Sequence, residues 1–403
     1  MKIAFVSTFD SFLRANRMLA SALGEEGAVC EHLILRARAK QISESQIAGI
    51  LGKKPTCIQP IAETISYVIE HHYDWMILSA ENTTCRRFLF YWSQLDSPTR
   101  PYVATIYPGI IFRHHYDGFS ARMPADLVIL NSQRDQRLYR NLRKSYGCED
   151  DNSFVLGPIT TLGVKHFKPG LKRDTVIFFD QPSVPATPEE KTYIFEQLSS
   201  AARKFPQFKF YVKLRVKPGE NTLHKGGQAT LKILEKFNKS QAADEKPLEM
   251  IEGDCRHLLE RCALALSVSS TALIEAVACG CSALSITDFG IDDEYGASFF
   301  IGSGLSGNLP DCDPCAMKKP ADDWMEDNIG NSDAGVESLY NHLNGFSSDR
   351  SPRPTTPFYG SKEFVDFAIS RFGPHKGIAR TYRRKSWYNS STLFLRRIKN
   401  YFR

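Results

Sequence analysis

The sequence of 403 residues contains no run of eighteen or more apolar residues, which argues against a transmembrane helix. Its first residues, Met1 to Ser7, lack the charged start and the long apolar stretch of a secretory signal peptide. No Walker A sequence occurs, and no Gly-x-Gly-x-x-Gly follows Ser7, so neither ATP hydrolysis nor nicotinamide binding has support from a local motif. We expect a cytoplasmic protein from these absences.

Metal-binding and disulfide patterns are also lacking, although the sequence has ten cysteines. The cysteines are scattered, and most lie in apolar or helical surroundings, which is typical of reduced thiols packed in a core. Cys312 and Cys315 have the spacing of metal ligands, but no second Cys or His pair stands nearby to complete four ligands. The sequence therefore predicts no metal site and no bound cofactor.

Acidic residues are missing from the last part of the chain, where residues 367–403 contain ten Lys or Arg. The whole chain carries +6, so the first 366 residues carry a net charge of −4. Residues 380–403 interleave cations with aromatic and aliphatic side chains, which suits either an anionic membrane surface or an amphipathic helix packed on the protein. Nucleic acid is not expected as a partner, because no further basic face extends the tail.

Segments typical of strands and helices alternate along the chain, and the alternation restarts after a break near Gly157-Pro158 and Lys168-Pro-Gly170. This pattern predicts an α/β fold with two Rossmann-like, doubly wound domains and a cleft between them. The predicted division is an N-terminal acceptor domain, a linker, a C-terminal donor domain and an extension that ends in the basic tail. These four segments are residues 1–158, 159–174, 175–345 and 346–403.

The most informative segment is Leu264 to Gly280, which reads as a buried strand that turns directly into a helix. Ser269, Ser270 and Thr271 stand at the turn, where hydroxyls cap a helix and the free N–H groups attract a phosphate. Glu275 follows one turn later, within reach of a ribose hydroxyl. Ligands collect at such strand ends in open α/β sheets, so we predict a nucleotide-phosphate site here, although many Ser/Thr caps bind nothing.

Several ionisable residues lie among aromatic ones in the stretch Tyr107 to Phe119. This stretch follows the predicted strand Tyr102 to Ile106, and we expect it to form a loop. Aromatic side chains beside ionisable ones can hold a carboxylate as a general base near neutral pH, whereas a solvated turn at Asp117-Gly118 is the alternative. The candidate base is Asp117. The candidates for acceptor binding are Arg113, His114, His115 and, in the loop after the first strand, Asp10. Asp10 is alternatively a helix cap.

Cations cluster where another predicted strand ends, at Lys213, Arg215 and Lys217. They project from one face if the strand continues that far, and they would then neutralise a departing phosphate without a divalent metal. An exposed edge strand with lysines would look similar. At the end of another predicted strand of the second domain, Glu252 and Asp254 flank a glycine, either to contact the nucleotide base or as a plain turn.

The Ser-Ser-Thr segment resembles the donor-binding element of GT-B glycosyltransferases. Taken in order, Asp117-Gly118 and Ser269-Ser270 resemble the acidic-Gly and Ser-Ser/Thr motifs of bacterial GT-B sialyltransferases and polysialyltransferases. The resemblance implies that Asp117 is the general base and that the serines contact the phosphate of a CMP-sugar. The family's His-Pro motif is absent, since Lys217-Pro218 stands there, which would leave Arg215 or His224 to assist departure of CMP.

A closer resemblance is to a family of bacterial GT-B glycosyltransferases defined by four shared stretches, and it covers most of residues 1–300. The stretches are Tyr107-Pro-Gly, Arg122-x-x-Ala-Asp126, Lys213-x-Arg-x-Lys-Pro-Gly-Glu220 and Ser269-Ser-Thr271. The resemblance implies the fold and the transferase class more strongly than it implies the sugar.

These patterns together predict an inverting, metal-independent glycosyltransferase that uses a nucleotide-sugar as co-substrate, with a CMP-activated nonulosonate or Kdo-type acid favoured. The acceptor would be a bacterial surface glycan, free or lipid-linked, as in capsule or lipopolysaccharide biosynthesis. The basic tail would keep the enzyme peripheral at the inner face of the plasma membrane. The alternatives are a CDP-glycerol-type phosphotransferase of cell-wall polymer synthesis and a non-catalytic two-domain sugar-binding protein.

Overall fold

The computed structural model describes most of the first 348 residues. The described ranges are 1–36, 42–93, 100–112, 115–148, 150–164, 172–215, 227–242, 246–252, 254–316 and 319–348. Four candidate site residues and the basic tail lie outside these ranges. They are Arg113, His114, Lys217, His224 and residues 380–403.

The first domain is built on a parallel sheet of seven strands with the order β3-β2-β1-β4-β5-β6-β7. The strands are β1 (Lys2–Ser7), β2 (Val29–Leu35), β3 (Cys57–Gln59), β4 (Trp75–Ser79), β5 (Tyr102–Thr105), β6 (Leu127–Leu130) and β7 (Ser153–Val155). The helices are α1 (Asp10–Glu25), α2 (Glu44–Leu51), α3 (Ile61–Glu70), α4 (Asn82–Ser93), α5 (His115–Arg122) and α6 (Gln133–Ser145). The order reverses between β1 and β4, which opens a crevice at their carboxyl ends.

Hydrophobic side chains cover both faces of this sheet because its central strands are apolar at successive positions. Ile3 and Phe5 point to one face, where they pack in a cluster with Leu19 of α1. Ala4 and Val6 point to the other face and join a cluster with α3 and α4. Strand residues alternate between faces, so a continuous apolar run requires helices on both sides.

The second domain repeats this arrangement with a parallel sheet of the order β10-β9-β8-β11-β12-β13. Its strands are β8 (Thr175–Phe179), β9 (Lys209–Lys213), β10 (Glu249–Met250), β11 (Cys262–Ser267), β12 (Ser282–Ile286) and β13 (Ser306–Gly307). Its helices are α7 (Pro188–Lys204), α8 (Gly227–Ser240), α9 (Cys255–Leu259), α10 (Thr271–Ala278) and α11 (Asp322–Asn328). The prediction of two Rossmann-like α/β domains is confirmed.

The last described helix, α12 (Ser332–Ser348), returns to the first domain. Leu339 and Leu343 are fully buried in the same cluster as Trp75, whose Nε1 donates to the Leu343 carbonyl oxygen at 3.1 Å. The hydroxyls of Thr161 and Ser332 are 2.7 Å apart and join the start of α12 to the segment between the domains. The packing of α12 differs from the predicted division, which counted residues up to 345 with the second domain.

Three further details differ from the sequence-based expectations. The stretch expected to be a loop up to Phe119 instead enters α5 at His115. Strand β9 ends at Lys213, so Arg215 lies beyond the strand and does not continue its alternation. Asp10 is the first residue of α1 and does not cap it, because Phe9 occupies the N-cap position without a side-chain bond.

No helix in the described part of the chain is long and apolar enough to span a membrane.

Candidate functional site

The start of α10 lies at the crevice between β8 and β11, as the sequence predicts for a ligand site. Ser270 is the N-cap residue, and its hydroxyl accepts a hydrogen bond from the N–H of Ala272 at 3.2 Å. Thr271 is the first residue of the helix and is partly buried. The free N–H groups of this turn and the helix dipole favour an anion.

Ser269 has a different environment from its two neighbours, because its side chain is 2% exposed and bonded within the protein. Its hydroxyl donates to the Tyr295 carbonyl oxygen at 2.5 Å and accepts from Gln181 Nε2 at 3.2 Å. Its N–H donates to Gln181 Oε1 at 2.9 Å. These bonds connect the ends of β8 and β11, so the observed role of Ser269 is to hold the crevice together, and direct contact with a phosphate stays a prediction.

A first-domain segment, Tyr107 to Phe112, lies directly against the start of α10. A Cβ atom added to Gly109 would lie 2.8 Å from Thr271 Cγ2, so only glycine permits this approach. Asn131, at the end of β6, donates to the Gly109 carbonyl oxygen at 2.6 Å and holds the segment in place. The ring of Phe112 approaches Gly296 of the second domain just as closely. The two domains therefore meet where the carboxyl ends of their sheets face each other.

A charged cluster surrounds Glu275 on the second-domain side. Burial raises the pKa of Glu275 to about 7, while Arg256 and Arg215 act in the opposite direction. Lys213 lies close enough to lower the pKa of the neighbouring Cys255 thiol, which burial raises far more strongly. The structure thus brings the predicted ribose-binding carboxyl together with two of the predicted cations. Near neutral pH this carboxyl is part protonated and can donate to a hydroxyl oxygen as well as accept from one.

Asp254 also acts on Glu275 by raising its pKa, and Glu252 precedes Asp254 by two residues. Asp254 is the N-cap of α9, and its carboxylate accepts from the N–H of Arg256 at 3.0 Å. Arg256 in turn donates to the carbonyl oxygens of Thr160 and Leu162 in the segment between the domains, at 3.4 and 2.5 Å. Glu252 is exposed. A structural role for Asp254 is therefore visible, whereas contact with a nucleotide base stays a prediction for both residues.

Asp117 lies in the first turn of α5, and its carboxylate is paired within the first domain. Its two oxygens accept from Asn82 Nδ2 at 2.7 Å and Arg86 Nη1 at 2.6 Å. Arg86 Nη2 also donates to the Asp117 carbonyl oxygen at 2.8 Å. An adjacent cation favours the charged form of a carboxylate and makes it a weaker base. Its role as general base stays a prediction, and these contacts count against high basicity.

His115 is the first residue of α5. It interacts across the cleft with Asp293 of the second domain. Burial lowers its pKa, the second domain's Asp293 raises it, and Arg134 of α6 lowers it further. The ring lies 4.0 Å from that of Tyr116, measured between centroids. The imidazole is therefore mainly neutral at neutral pH and can accept a proton.

Glu81 is a further candidate site residue, which the sequence analysis does not single out. It is 9% exposed and follows β4 at the crevice of the first sheet. Its carboxylate accepts from Thr8 Oγ1 at 2.9 Å and from Thr84 Oγ1 at the start of α4. The available signal is an acid placed two residues after a strand that is apolar up to its last residue, Ser79. Its bonds hold the loop beside Asp10, which is partly exposed.

No metal centre is visible in the described ranges, where no three His, Cys, Asp or Glu side chains are grouped to hold an ion. All ten cysteines are free thiols. Cys312 is buried and Cys315 is exposed, so the two do not face a common point in solvent.

Comparison with known proteins places this geometry in a family. The profile of the family described as "Putative glycosyltransferase (DUF6716)" matches residues 3–342. The chain belongs to this family. The match spans both domains and includes helix α10, so the protein is an enzyme of the glycosyltransferase class. A search of curated proteins finds no match.

Solved structures share the fold of this family member at low sequence identity. The UDP-GlcNAc 2-epimerase from Methanocaldococcus jannaschii is 12% identical with a TM-score of 0.57, over 86% of this chain and 100% of that one. The Neisseria meningitidis UDP-GlcNAc 2-epimerase, solved with UDP-GlcNAc, is 13% identical with a TM-score of 0.55, over 86% and 100% of the two chains. S. aureus MnaA, solved with UDP, is 12% identical with a TM-score of 0.56, over 88% and 99%. These similarities support the two-domain GT-B type of fold.

Proposed function

We propose that the protein is an inverting, metal-independent glycosyltransferase whose nucleotide-sugar donor binds at the start of α10. The observation that carries this proposal is the contact of Gly109 with Thr271, because it puts a first-domain segment beside a helix N-terminus suited to phosphate. A sugar attached to that phosphate would lie between the domains. The favoured donor is a CMP-activated nonulosonate or Kdo-type acid, and the favoured acceptor is a bacterial surface glycan.

On the donor side, Ser270 and Thr271 bind the phosphate and Ser269 positions the turn. Glu275 binds the ribose, and Glu252 and Asp254 lie near the base. Lys213 and Arg215 stabilise negative charge as the bond from the anomeric carbon to the phosphate oxygen breaks. Arg215 or His224 assists departure of the nucleotide.

On the acceptor side, an acceptor hydroxyl attacks the anomeric carbon as the nucleotide leaves, and its proton passes to a base of the first domain. Asp117 is the base implied by the family resemblance. His115 is the competing candidate, because its imidazole is neutral and interacts with the second domain, whereas Asp117 is paired with Arg86. Asp10, Arg113 and His114 orient the acceptor, and the basic tail holds the enzyme at an anionic membrane near a lipid-linked glycan.

Two other nucleotides deserve direct comparison with CMP. UDP is named with the structural neighbours from M. jannaschii, N. meningitidis and S. aureus, which makes a UDP-sugar the main competing donor. Tighter binding of CDP than of CMP would indicate the phosphotransferase alternative, because its donor carries both cytidine phosphates, whereas both reactions release CMP. Fold alone does not choose among them.

The test is calorimetric titration of the full chain with CMP, CDP, UDP and GDP in the absence of added metal. Ser270→Ala removes the cap of α10, and Ser43→Ala removes the equivalent cap of α2 in the first domain, where Ser43 accepts from Gln46 N–H. We expect selective CMP binding that weakens in the first variant and not in the second. Preference for UDP would replace the proposed donor, and absence of any nucleotide binding would overturn the proposal.

A further inference from the structure

We propose that Arg134 binds an oxyanion of the substrate, with a donor-sugar carboxylate favoured over a donor phosphate. The subsite lies at the start of α6, on the first-domain side of the cleft. This inference rests on the proposed function. It assigns recognition of an acidic donor sugar to a residue that none of the motifs contains.

The position of Arg134 follows from the two helices that start beside Gly109. Asn131, whose amide donates to the Gly109 carbonyl oxygen, immediately precedes Ser132, the N-cap of α6. Thr271, the first residue of α10, touches Gly109 from the second domain. The positive ends of one helix from each domain therefore lie on either side of the same glycine. If α10 holds the nucleotide phosphate, α6 faces a different part of the bound donor.

One buried nitrogen of the Arg134 guanidinium has no hydrogen-bond acceptor among the described residues. Nη1 is buried and makes no hydrogen bond, while the guanidinium carbon lies 5.5 Å from the ring centroid of Phe299 in the second domain. A buried donor without an acceptor is costly, and a charged donor more so. A ligand oxyanion between the domains would supply that acceptor.

Neighbouring arginines are engaged by partners within the protein, although Nε of Arg122 is also buried without a hydrogen-bond partner among the described residues. One turn along α6, Arg137 makes a bidentate pair with Asp327 at 2.5 and 2.7 Å. Arg140 pairs with Asp151. The fully buried Arg122 donates to Asn82 Oδ1 and to two carbonyl oxygens. Arg137, Arg140 and Arg122 therefore stabilise the fold through their own partners, which leaves Arg134 to bind a ligand.

Asp135 and Asp327 lie near enough for Arg134 to lower their pKa values, but no ion pair joins Arg134 to an acid among the described residues. Asp327 is engaged by Arg137, and Asp293 acts on His115. Asp135, the next residue, is 2% exposed, and burial raises its pKa to about 7. Its carboxyl is therefore part protonated at neutral pH, and Arg134 keeps positive charge for a ligand. A planar guanidinium suits carboxylate and phosphate alike, since both accept bidentate bonds.

The experiment titrates the full chain with two probes, CMP and CMP-N-acetylneuraminate, which differ by the sugar and its carboxylate. Arg134→Gln removes the charge, and Arg140→Gln is the matched control, since it removes an exposed cation from the same helix. We expect the control to behave like the wild type. We expect Arg134→Gln to bind CMP normally and to bind the sugar nucleotide about 10- to 100-fold more weakly.

The other outcomes separate the two sources of the anion and the two proposals. Equal weakening for CMP and CMP-N-acetylneuraminate would assign Arg134 to the phosphate, and no change in either affinity would overturn the subsite. If the wild type binds no nucleotide, the proposed function fails, and the subsite is judged by melting temperature with free N-acetylneuraminate and inorganic phosphate at constant ionic strength. A rise in the wild type that Arg134→Gln lacks would support it, and equal behaviour would overturn it.

Discussion

The start of α10 and the start of α5 both carry candidate site residues, but the sequence predicts the first helix start and not the second. Helix α10 begins where its Ser-Ser-Thr signal predicts, directly after a buried strand. Helix α5 begins inside a stretch that was expected to be a loop, and its acid is paired with Arg86 from α4. A capping signal is local and survives in the sequence, whereas the partner of a carboxylate is chosen by helices that are distant in the chain.

The largest expected effect distinguishes the two bases on α5. If His115 accepts the acceptor proton, His115→Ala lowers kcat by about 10²- to 10⁴-fold, the usual contribution of a general base. Asp117→Asn would then have the smaller effect, by loosening its bonds to Asn82 and Arg86. The measurement is the rate of nucleotide release from the donor with acceptor present, across pH. A larger loss in Asp117→Asn would return the base to the residue implied by the family resemblance.

The next effect concerns the contact between the domains. Gly109→Ala places a methyl group 2.8 Å from Thr271 Cγ2, so we expect nucleotide affinity to fall by about 10- to 100-fold, in line with the 1–3 kcal/mol typical of overpacking. Thr271→Ser removes that methyl group, and the double variant should recover most of the affinity. Gly49→Ala, in α2 with open space around it, is the control. Failure of the double variant to recover would mean that the contact does not shape the site.

A third prediction uses the pH dependence of Glu275 on the α10 side. Its folded pKa, about 7, lies above the ordinary value of 4.5, so the folded state binds more protons than the unfolded state between these values. Stability of the wild type therefore falls as pH rises from about 4.5 to about 7. Glu275→Gln should remove this loss and gain about 1–3 kcal/mol relative to wild type at pH 8, with little gain at pH 4.

Urea unfolding at both pH values measures this difference. Glu196→Gln, at an exposed position on α7, is the matched control and should leave the profile unchanged. A Glu275→Gln profile that parallels the wild type would show that this carboxyl does not titrate in the proposed range.

The smallest expected effect compares caps. Ser270→Ala should cost about 1 kcal/mol of stability, as should Ser43→Ala, because each removes one N-cap bond. Thermal melting of both variants checks this. A much larger loss at Ser270 would indicate that the start of α10 supports the interface between the domains as well as its own helix.

Sequence reasoning found the long elements and missed those with weak local signals. Strands β1, β4 and β11 each contain a continuous apolar run, which only a sheet covered on both faces can bury. Helix α2 and strand β3 are hard to predict from the sequence, since eight and three residues show little periodicity. The sequence singles out a candidate site around α10 but not Glu81, Gln181 or Arg134, whose contacts include residues remote in the chain.

What the sequence alone determined is the repeated alternation of apolar strands and amphipathic helices, and with it two parallel sheets whose carboxyl ends are the place for a ligand. It also determined the cap of α10, because a serine before an apolar helix satisfies the N–H groups of that helix's own first turn. Only the tertiary structure decided that Gly109 meets Thr271, that Ser269 bonds to Gln181 and Tyr295, and that α12 returns to the first domain. The physical reason is that these contacts join segments tens to hundreds of residues apart, and their energy depends on distances that local periodicity does not encode.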